Sequence, residues 1–496
     1  MKHFKKTVSL VLALAFAATA AACVGGGGDK PGNSKGTQSQ PTGDNDRLNA
    51  NDGIEAVDFK GLQYKISISD NQEFEMFSDD TTDTVDAAVY ERNMRVEDKY
   101  KIEIVPVITT GYSSGAGQLL HEEDIKKSIS TGDHAFDTVL MCAWRAGTLI
   151  VDGYFRDWNN NIPGVNFAQP WWNSRCNNAF TIDGKLYASV GDISLTTLAL
   201  AHCYLYNKTM GADKKIDDLY TVVRDGKWTI DYVKQITKDI YTDMNKDGNR
   251  GTDDVYGFAS GVVTNLDAYL PSFGISLVTA DSSGDLTIAI DKDRARVQTA
   301  LEKVSDLFYN SEGSYISMEH SEYNDRFKMF AEGRVLLTDA TVNILSSYCR
   351  NMNDSYGVLP YPKFNEEQKD YYSNAHDNFS VLCVANNIEN DELVGKVTET
   401  LCCETYRTVI TAYYDTALKS KYTETDDDED MLDMIMEGRN YDLAVLFAPS
   451  LDRLFYFFRD EIADKSTSVA GSLDSRIMGW RAALMRIEKI YGNLSA

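Results

Sequence analysis

Basic residues are scarce in this sequence relative to acidic ones. Its 496 residues include 49 lysines and arginines against 75 aspartates and glutamates, which gives a formal net charge of −26 at pH 7. Nucleic-acid binding depends on cationic side chains that neutralise phosphates, and adsorption to an anionic leaflet depends on the same charges. The composition therefore argues against a nucleic-acid partner and against membrane binding through surface charge.

Long hydrophobic runs are also missing beyond the first residues. After the apolar stretch Val8 to Ala18, no run reaches the ~18 to 20 apolar residues that a membrane-spanning helix requires. The sequence therefore predicts that the chain does not span a bilayer.

Common catalytic motifs are absent. The sequence contains no GxSxG elbow, no HExxH pair and no phosphate-binding P-loop, and its histidines show no metal-ligand spacing. A glycosidase needs two carboxylates at a defined separation, and with 75 acidic residues some pair is always available, so abundance alone indicates nothing. No motif therefore points to a class of enzyme, and a secreted glycan-active hydrolase or a surface adhesin is kept as the alternative function.

Cysteine usage does not indicate a disulfide framework. Seven cysteines follow Cys23, which is an odd number with irregular spacing, and none forms a paired zinc knuckle. We predict that these seven are buried free thiols. They are Cys142, Cys176, Cys203, Cys349, Cys383, Cys402 and Cys403.

The N-terminus has the organisation of a secretory signal. A short basic start is followed by the apolar stretch Val8 to Ala18 and by Ala20, Ala21 and Ala22, directly before Cys23. This order resembles a bacterial lipoprotein signal, in which that cysteine receives diacylglycerol, although Ala20 stands where leucine is usual. The resemblance implies a signal peptide over 1–22, lipidation of Cys23, and a location on the extracellular face of the cell membrane (the periplasmic side if an outer membrane is present). An ordinary cleaved signal or an unmodified cysteine is the alternative.

The segment 23–57 has the composition of a flexible tether. It is rich in glycine and small polar residues and has almost no large apolar side chains. A glycine-rich chain of this length has a root-mean-square reach of about 30 Å. Loss of 1–22 also removes three lysines and no acid, so the formal charge becomes −29. The anchored domain is therefore expected to lie close to the membrane but lifted off it.

Strand and helix patterns alternate from about residue 59. Tyr64, Ile66 and Ile68 alternate with polar residues, a helical stripe follows over 84–98, and further strands are predicted over 102–107 and 136–142. This alternation indicates an α/β architecture with parallel pairing. Ligands in such sheets bind beyond the carboxyl ends of the strands, which places Trp144 and Arg145 at a binding crevice.

A series of short motifs resembles the carbohydrate-type (family 1) bacterial extracellular solute-binding proteins, in the order found in that family. The segments are WW at 171–172, DGKLYA at 183–188, GD at 191–192, LYNK at 205–208, DLY at 218–220, GKWT at 226–229, FAEGR at 330–334 and YGVLPYPK at 356–363. Each motif is weak alone, but the similarity covers nearly all of the chain from about residue 59.

The resemblance implies an α/β, two-lobed periplasmic-binding-protein-like fold of type II with a hinge between the lobes. The first lobe would be 58–190 plus 336–378, and the second 193–335 plus 379–496. The implied function is capture of a sugar or oligosaccharide between the lobes and delivery to the permease of an ABC transporter, so the resemblance implies a binding protein and not an enzyme. The resemblance further implies that the protein is a monomer.

Several residues are candidates for the sugar site. Sugar pockets combine aromatic planes with carboxylates, amides and arginine. The candidates are Trp144 and Arg145 after the third strand, Asp192 at the crossover, Asp339 after the strand 335–338, and Tyr413 and Tyr414, which resemble a cleft-facing tyrosine pair of the family. Core packing for the aromatics, and a helix cap or surface charge for the carboxylates, remain the alternatives.

The segment 243–254 matches the calcium-loop pattern D-x-[DN]-x-[DN]-G. Side-chain oxygens of Asp243, Asn245 and Asp247 would converge on one cation, Asn249 would offer its backbone carbonyl, and Asp254 takes the place of the usual glutamate. A helix with Thr229 as its N-cap precedes the loop, and an extended segment follows it. We therefore predict one structural Ca²⁺, with a solvated acidic turn as the alternative.

Overall fold

The computed structural model describes residues 47–111, 117–281, 284–318, 322–419 and 425–494. The predicted signal peptide, Cys23 and the tether as far as residue 46 lie outside the described residues, so these stay predictions. The flexible tether predicted over 23–57 is wrong for residues 47–57, because Ile54 and Val57 pack against the core and Asp52 forms an ion pair with Lys99 at 2.7 Å. Within the described part of the chain, no helix is both long enough and apolar enough to cross a membrane.

The described strands form two mixed sheets and one short hairpin. They are β1 (Gln63–Ser69), β2 (Glu103–Thr109), β3 (Thr138–Cys142), β4 (His202–Asn207), β5 (Tyr241–Thr242), β6 (Val255–Gly261), β7 (Val278–Ala280), β8 (Leu286–Ile288), β9 (Ser314–Ser317), β10 (Val335–Thr341), β11 (Tyr356–Leu359) and β12 (Ser380–Val384).

Helices connect the strands and cover the sheets. The α-helices are Thr84–Tyr100, Gly117–Thr131, Ala143–Val151, Trp158–Asn161, Ser174–Phe180, Thr196–Ala199, Lys208–Asp213, Leu219–Arg224, Ile230–Thr237, Tyr269–Ser272, Arg294–Tyr309, Asp325–Ala331, Asp391–Glu404, Asp426–Glu437, Leu443–Leu446, Phe457–Ala463 and Ala470–Asn493. Short 3₁₀ turns are Glu73–Glu75, Thr264–Ala268, Ala289–Asp291 and Leu454–Tyr456, and π-helical stretches are Leu345–Cys349, Thr405–Val409 and Thr411–Lys419.

The first sheet has the strand order β12-β3-β1-β2. Strand β1 is parallel to β2 and β3, and β12 is antiparallel to β3. The alternating side chains Tyr64, Ile66 and Ile68 are all buried, which confirms the predicted strand. The helix predicted over 84–98 is also present.

The second sheet has the order β11-β4-β10-β6-β5, with β9 also paired to β6. Strand β10 is parallel to β6 and antiparallel to β4. The helix Ile230–Thr237 precedes β5, and the Thr229 hydroxyl accepts a hydrogen bond from the Tyr232 amide, as the predicted N-cap requires.

The strands after residue 335 belong to the opposite sheets from those assigned by sequence. The sequence analysis placed 336–378 in the first lobe and 379–496 in the second. In the structure β10 and β11 pair with β4 in the second sheet, and β12 pairs with β3 in the first. An apolar run indicates a strand but carries no information about its pairing partner, so the return of the chain to the first sheet is displaced to Ser380.

The acidic run after Thr425 begins a helix. Thr425 and Asp428 form a capping box at the start of Asp426–Glu437, and acidic residues in a first turn favour the positive end of the helix dipole. The buried Asp428 also accepts hydrogen bonds from Lys208 and Tyr220. Burial of this one carboxylate fixes the acidic run against the second sheet.

The seven described cysteines are free and buried, as predicted. Two of them, Cys402 and Cys403, end the helix Asp391–Glu404, which contacts the helix Thr84–Tyr100 beside the first sheet.

Candidate functional site

The edge of the first sheet where its parallel strands end carries the candidate site. Strands β1, β2 and β3 end at Ser69, Thr109 and Cys142. Strand β12 runs the other way, and its first residue Ser380 pairs with Cys142. Residues just before β12 therefore share this edge with residues just after β3.

Trp144 lies directly after β3, in the first turn of the helix Ala143–Val151. Its ring is half-buried, and its indole Nε1 donates to Asn378 Oδ1 at 2.9 Å. The Arg145 guanidinium lies 4.8 Å from the centre of the Trp144 ring and forms an ion pair with the buried Glu122. The structure thus brings Trp144 and Arg145 together at the predicted strand end, with the ring edge and the arginine both fixed.

Asn378 is the amide at the centre of this site. Its side-chain oxygen lies 3.4 Å from Gln118 Nε2, on the helix Gly117–Thr131. Gln72 Nε2 donates to the Asn378 carbonyl at 3.0 Å and to Ser380 Oγ at 2.9 Å. Asn378 is therefore positioned from both its backbone and its side chain.

Segments that cross between the two sheets run beside this site. Ala201, just before β4, pairs with Ala375, which lies on the path from β11 to β12. Ser373 on the same path pairs with Arg439. These pairings tie together the backbone that joins one sheet to the other, which is where a hinge motion would have to occur.

Glu75 links two of the crossing segments to the end of β1. Its fully buried carboxylate accepts from the Thr196 amide at 2.6 Å, from Thr196 Oγ1 at 2.7 Å and from Ser380 Oγ. Burial raises the pKa of Glu75 to about 7, although these hydrogen bonds and Arg92 act in the opposite direction. This carboxylate therefore holds the hinge backbone and the Asn378–Ser380 turn together.

A second polar group extends from Asn378 towards the second sheet. His376 Nδ1 lies 2.8 Å from Asp377 Oδ1, and the Tyr456 hydroxyl donates to Asp377 Oδ2 at 2.8 Å. Burial disfavours ionisation of Asp377, but His376 and Arg459 outweigh it and lower the pKa of Asp377 to about 2. The Asp377 carboxylate is therefore ionised and already paired.

Arg459 connects this group to the loop after β6. Its Nε donates to Asp267 Oδ1 at 2.9 Å in a two-point ion pair, and its guanidinium carbon lies 4.5 Å from the Tyr456 ring centre. Burial raises the pKa of Asp267 to about 6 even with Arg459 beside it. Side chains from both sheets and from the C-terminal helices thus meet next to the hinge.

Asp339 lies in a different place from the one predicted. It is inside β10, which continues to Thr341, and its side chain is fully buried. Its Oδ2 accepts from Ser260 Oγ at 2.6 Å and from Asn265 Nδ2 at 2.7 Å, and Arg326 Nε lies 3.5 Å from its Oδ1. Burial raises the pKa of Asp339. Asp339 is therefore an internal carboxylate that joins three elements of the second lobe. It lies inside the strand because β10 extends three residues beyond the predicted apolar run 335–338.

Asp192 is half-buried at the start of the crossover. Its amide donates to the Trp171 carbonyl at 2.8 Å. Burial raises the pKa of its carboxyl to about 7, against the opposing charges of Arg47 and Arg439. Among the described residues, Asp192 shares no hydrogen bond or ion pair with Trp144 or with Asp339, so the predicted carboxylates and the tryptophan do not form one bonded group.

Tyr413 and Tyr414 lie in the π-helical stretch Thr411–Lys419. The buried Tyr414 donates to Asp433 Oδ1 at 2.8 Å, and Tyr413 packs against the core. Trp171 and Trp172 both donate to the buried Glu399, at 3.0 Å and 2.8 Å, and so anchor the core of the first lobe.

The predicted calcium loop is folded by its own side chains. Asp243 accepts from the amides of Lys246 at 2.6 Å and Gly248 at 3.0 Å, and Asp247 accepts from the Asn249 amide at 2.7 Å. Gly248 has φ +77°, the left-handed conformation that position six requires. The loop therefore has the turn that the sequence motif predicts.

The last position of the loop is turned inward. Asp254 is buried and accepts from the Met244 and Gly251 amides at 3.0 Å and 3.1 Å and from the Tyr241 hydroxyl at 3.2 Å. Asn245 Oδ1 is bonded to the Asp247 amide at 3.0 Å. Within the described residues, no three acidic, histidine or cysteine side chains converge as a cation site requires, so calcium binding stays a prediction that would need Asp254 to turn.

Sequence reasoning missed Asn378, His376, Asp377, Asp267 and Arg459. A usable signal was present for the first three, since a polar run stands directly before the apolar run of β12. The amino end of an antiparallel strand shares a sheet edge with the carboxyl ends of its parallel neighbours. The partners from later helices have no local signal in the sequence.

Comparison with known proteins identifies the fold of this chain. No protein-family model matches the sequence, and no curated protein matches it either. Solved structures do match over most of the chain, at low sequence identity.

Three of these structures illustrate the likeness. The cyclic α-maltosyl-1,6-maltose binding protein of Arthrobacter globiformis is 15% identical with a TM-score of 0.56, over 86% of this chain and 99% of its own. A cyclo/maltodextrin-binding protein complexed with maltotetraose is 13% identical with a TM-score of 0.53, over 88% and 99%. A family 1 extracellular solute-binding protein of Bifidobacterium longum subsp. infantis is 12% identical with a TM-score of 0.51, over 88% and 100%. The chain therefore has the α/β, two-lobed fold of periplasmic binding proteins, which confirms the predicted fold class.

Proposed function

We propose that this chain, which has the two-lobed fold of periplasmic binding proteins, captures a saccharide between its lobes and delivers it to the permease of an ABC importer. The similar solved structures described above are binding proteins for maltose-type saccharides or a family 1 solute-binding protein. Their likeness supports a binding function over a catalytic one.

The observation that carries the proposal is the placement of Trp144. Its half-buried ring lies at the strand ends of the first sheet, held through Asn378 to the backbone that crosses to the second sheet. Sugars present an apolar ring face and a rim of hydroxyls, so an aromatic plane beside amide groups suits them. The neighbouring cations Arg145 and Arg459 are already paired with Glu122 and Asp267, so they orient the site.

The anchoring part of the proposal depends on the sequence. Cys23 would carry the lipid that keeps the protein on the extracellular face of the membrane, and the tether would give the domain its reach. A monomer that opens and closes at the segments around Ala201, Ala375 and Arg439 would present its bound solute to the permease.

A ligand screen with two variants tests the function. Maltose and maltotetraose are the first probes, followed by a panel of other neutral sugars, with binding measured by thermal shift and calorimetry. A ligand at 100 times its dissociation constant stabilises a protein by about 2.7 kcal/mol. For the sugar that binds wild type, Trp144→Ala should weaken affinity by roughly ten- to a hundred-fold, because ring stacking and buried apolar area are lost.

A second variant and a control distinguish a local effect on binding from a general effect on folding. Asn378→Ala should weaken binding by a smaller factor, since it frees the Trp144 indole. Met478→Ala changes an exposed apolar residue on the last helix, with 69% of its surface accessible, and should bind as wild type does. Unchanged affinity in Trp144→Ala would place the site elsewhere, and failure of every saccharide to bind would contradict the proposed solute class.

A further inference from the structure

A cavity beside the hinge has an unusual charge for this molecule. It has a volume of about 740 Å³ and is lined from the helix Ser174–Phe180, from the loops near Arg224 and Gly274, and from the stretches 369–372 and 434–440. Four cations lie in its wall, namely Arg175, Arg224, Lys369 and Arg439, against the two acids Asp370 and Glu437. In a chain of net charge −26 this reverses the general excess of acid.

Three of the four cations have no carboxylate partner among the described residues. Arg224 is neutralised by Asp427 and by Asp430, the latter at 2.8 Å. Arg175, Lys369 and Arg439 form no ion pair within the described part of the chain, which is unlike Arg145, Arg459 and most other arginines of the structure. The cavity wall therefore carries three cations that form no direct ion pair, although Asp370 and Glu437 lie in the same wall and the charge of Arg439 also acts on Asp192.

Backbone carbonyls hold two of these arginines in place. Arg439 donates from Nε to the Met436 carbonyl at 2.9 Å and from Nη1 to the Thr197 carbonyl at 3.1 Å. Arg175 donates from Nη1 to the Glu437 carbonyl. These contacts fix the guanidinium groups at the C-terminal end of the helix Asp426–Glu437, where cations are favoured. A guanidinium has five N–H donors, so both arginines keep donors for another group.

Neutral donors complete the wall. Tyr372 and Asn440 line the same cavity, and Tyr372 packs against Gly274, where an added Cβ would lie 3.4 Å from the Tyr372 ring. Tyr371 also lines the cavity, but its hydroxyl already donates to the Val223 carbonyl at 3.0 Å. Pre-positioned arginines beside hydroxyl and amide groups are the usual recognition elements for carboxylate and phosphate groups.

We propose that this cavity binds a small multivalent anion bearing carboxylate or phosphate groups. The site is separate from the Trp144 site and goes beyond the proposed function. Its residues come from both sides of the Ser373–Arg439 pairing. An anion in this cavity would bind more tightly to one arrangement of the hinge segments than to another. It would therefore shift the population of the two lobe arrangements by the difference between these affinities.

Anion-dependent melting of the full-length protein tests the site. Citrate supplies carboxylates, inorganic pyrophosphate supplies phosphates, and sodium chloride at the same ionic strength corrects for screening. Wild type should show a saturable rise in melting temperature with at least one of the two anions above that seen with chloride. The arm with the larger rise identifies which group the cavity prefers.

Two lysine variants of equal charge provide the control. Lys369→Gln removes a cavity cation, and Lys214→Gln removes an exposed lysine outside the cavity. Lys369→Gln and Arg175→Gln should each weaken apparent anion affinity by roughly two- to fivefold, and by more when combined. Lys214→Gln should match wild type.

Two outcomes would overturn the proposal. One is that neither anion stabilises wild type beyond chloride. The other is that the anion effect is equal in wild type, Lys369→Gln and Lys214→Gln. In either case the arginines serve only to cap the helix Asp426–Glu437. Because Lys369 is exposed and unbonded to other described groups, loss of folding does not obscure its result.

Discussion

Single buried carboxylates hold the hinge region of this protein in place. Glu75 accepts three hydrogen bonds from Thr196 and Ser380, and Asp377 is paired with His376 and Tyr456. Each joins stretches of chain that are far apart in sequence. Such groups cost free energy to bury but are strongly destabilising to remove, because their donors lose their partners.

Glu75 makes a prediction about pH. Its pKa is raised to about 7 in the folded protein, above its value of about 4.3 in an unfolded chain. The folded state therefore binds this proton more tightly, so the stability contributed by Glu75 is fully present below about pH 4.3 and is lost as pH rises through about 7.

The variant Glu75→Gln keeps the shape of the side chain without its charge. Between about pH 4.5 and 7.5 the free energy of unfolding of wild type should fall relative to this variant, by roughly 1–3 kcal/mol. All other titrating groups are present in both proteins, so their contributions to the pH dependence cancel when the two free energies of unfolding are subtracted. Denaturant unfolding of both proteins across that range measures the effect, and parallel profiles would contradict it.

At the scale of elements, the loop 243–254 is held both by its own side chains and by contacts with residues outside the loop. Asp243 and Asp247 close the turn themselves, whereas Arg250 donates to the Ser314 carbonyl at 3.1 Å and stacks 4.2 Å from the Tyr241 ring centre. The loop is thereby fastened to the edge strand β9. A bound cation would strengthen this attachment of the loop to the second sheet.

Calcium is the second prediction. Chelation should lower the melting temperature of wild type, because removal of a cation leaves Asp243, Asp247 and Asp254 as neighbouring like charges. Asp243→Ala should abolish that sensitivity by removing the first ligand of the motif. Differential scanning calorimetry with and without a calcium chelator measures both.

The matching control is Asp281→Ala, an acidic residue outside the loop. It should keep the chelator sensitivity of wild type. Identical melting of wild type with and without chelator would leave the self-bonded acidic turn as the correct interpretation.

At the scale of the whole molecule, two sheets are joined by backbone that passes the candidate site. The C-terminal helices add to this connection, since Leu443–Leu446 packs on Ala143–Val151 beside the first sheet and Phe457–Ala463 packs on Arg294–Tyr309 beside the second. The site is therefore built from segments separated by most of the chain, and its geometry depends on how the sheets are held.

The membrane anchor is the prediction at this scale. Cys23→Ala should release the protein from the membrane fraction without changing its melting temperature, because the glycine-rich residues that follow Cys23 have too little apolar surface to contribute to a core. The packing of Ile54 and Val57 against the core at the far end of the predicted tether is left unchanged by this substitution. Fractionation after a high-salt wash, with Cys349→Ala as a control that keeps Cys23, measures the release. Retention of the variant in the membrane fraction would disprove the lipid anchor.

The sequence by itself determined the local structure and the fold class of this protein. Period-two and helical apolar patterns located β1, the helix Thr84–Tyr100 and the N-cap at Thr229, because side-chain periodicity follows directly from backbone geometry. It also placed Trp144 at a strand end, because this placement depends only on where β3 ends.

Only the tertiary structure decided which segments meet. It placed β10 and β12 in the sheets opposite to those predicted and buried Asp339 inside β10. It also brought Asn378 and Arg459 to the hinge. Strand partners and long-range ion pairs depend on the sum of weak contacts over the whole chain, and no local pattern of apolar and charged residues encodes that sum.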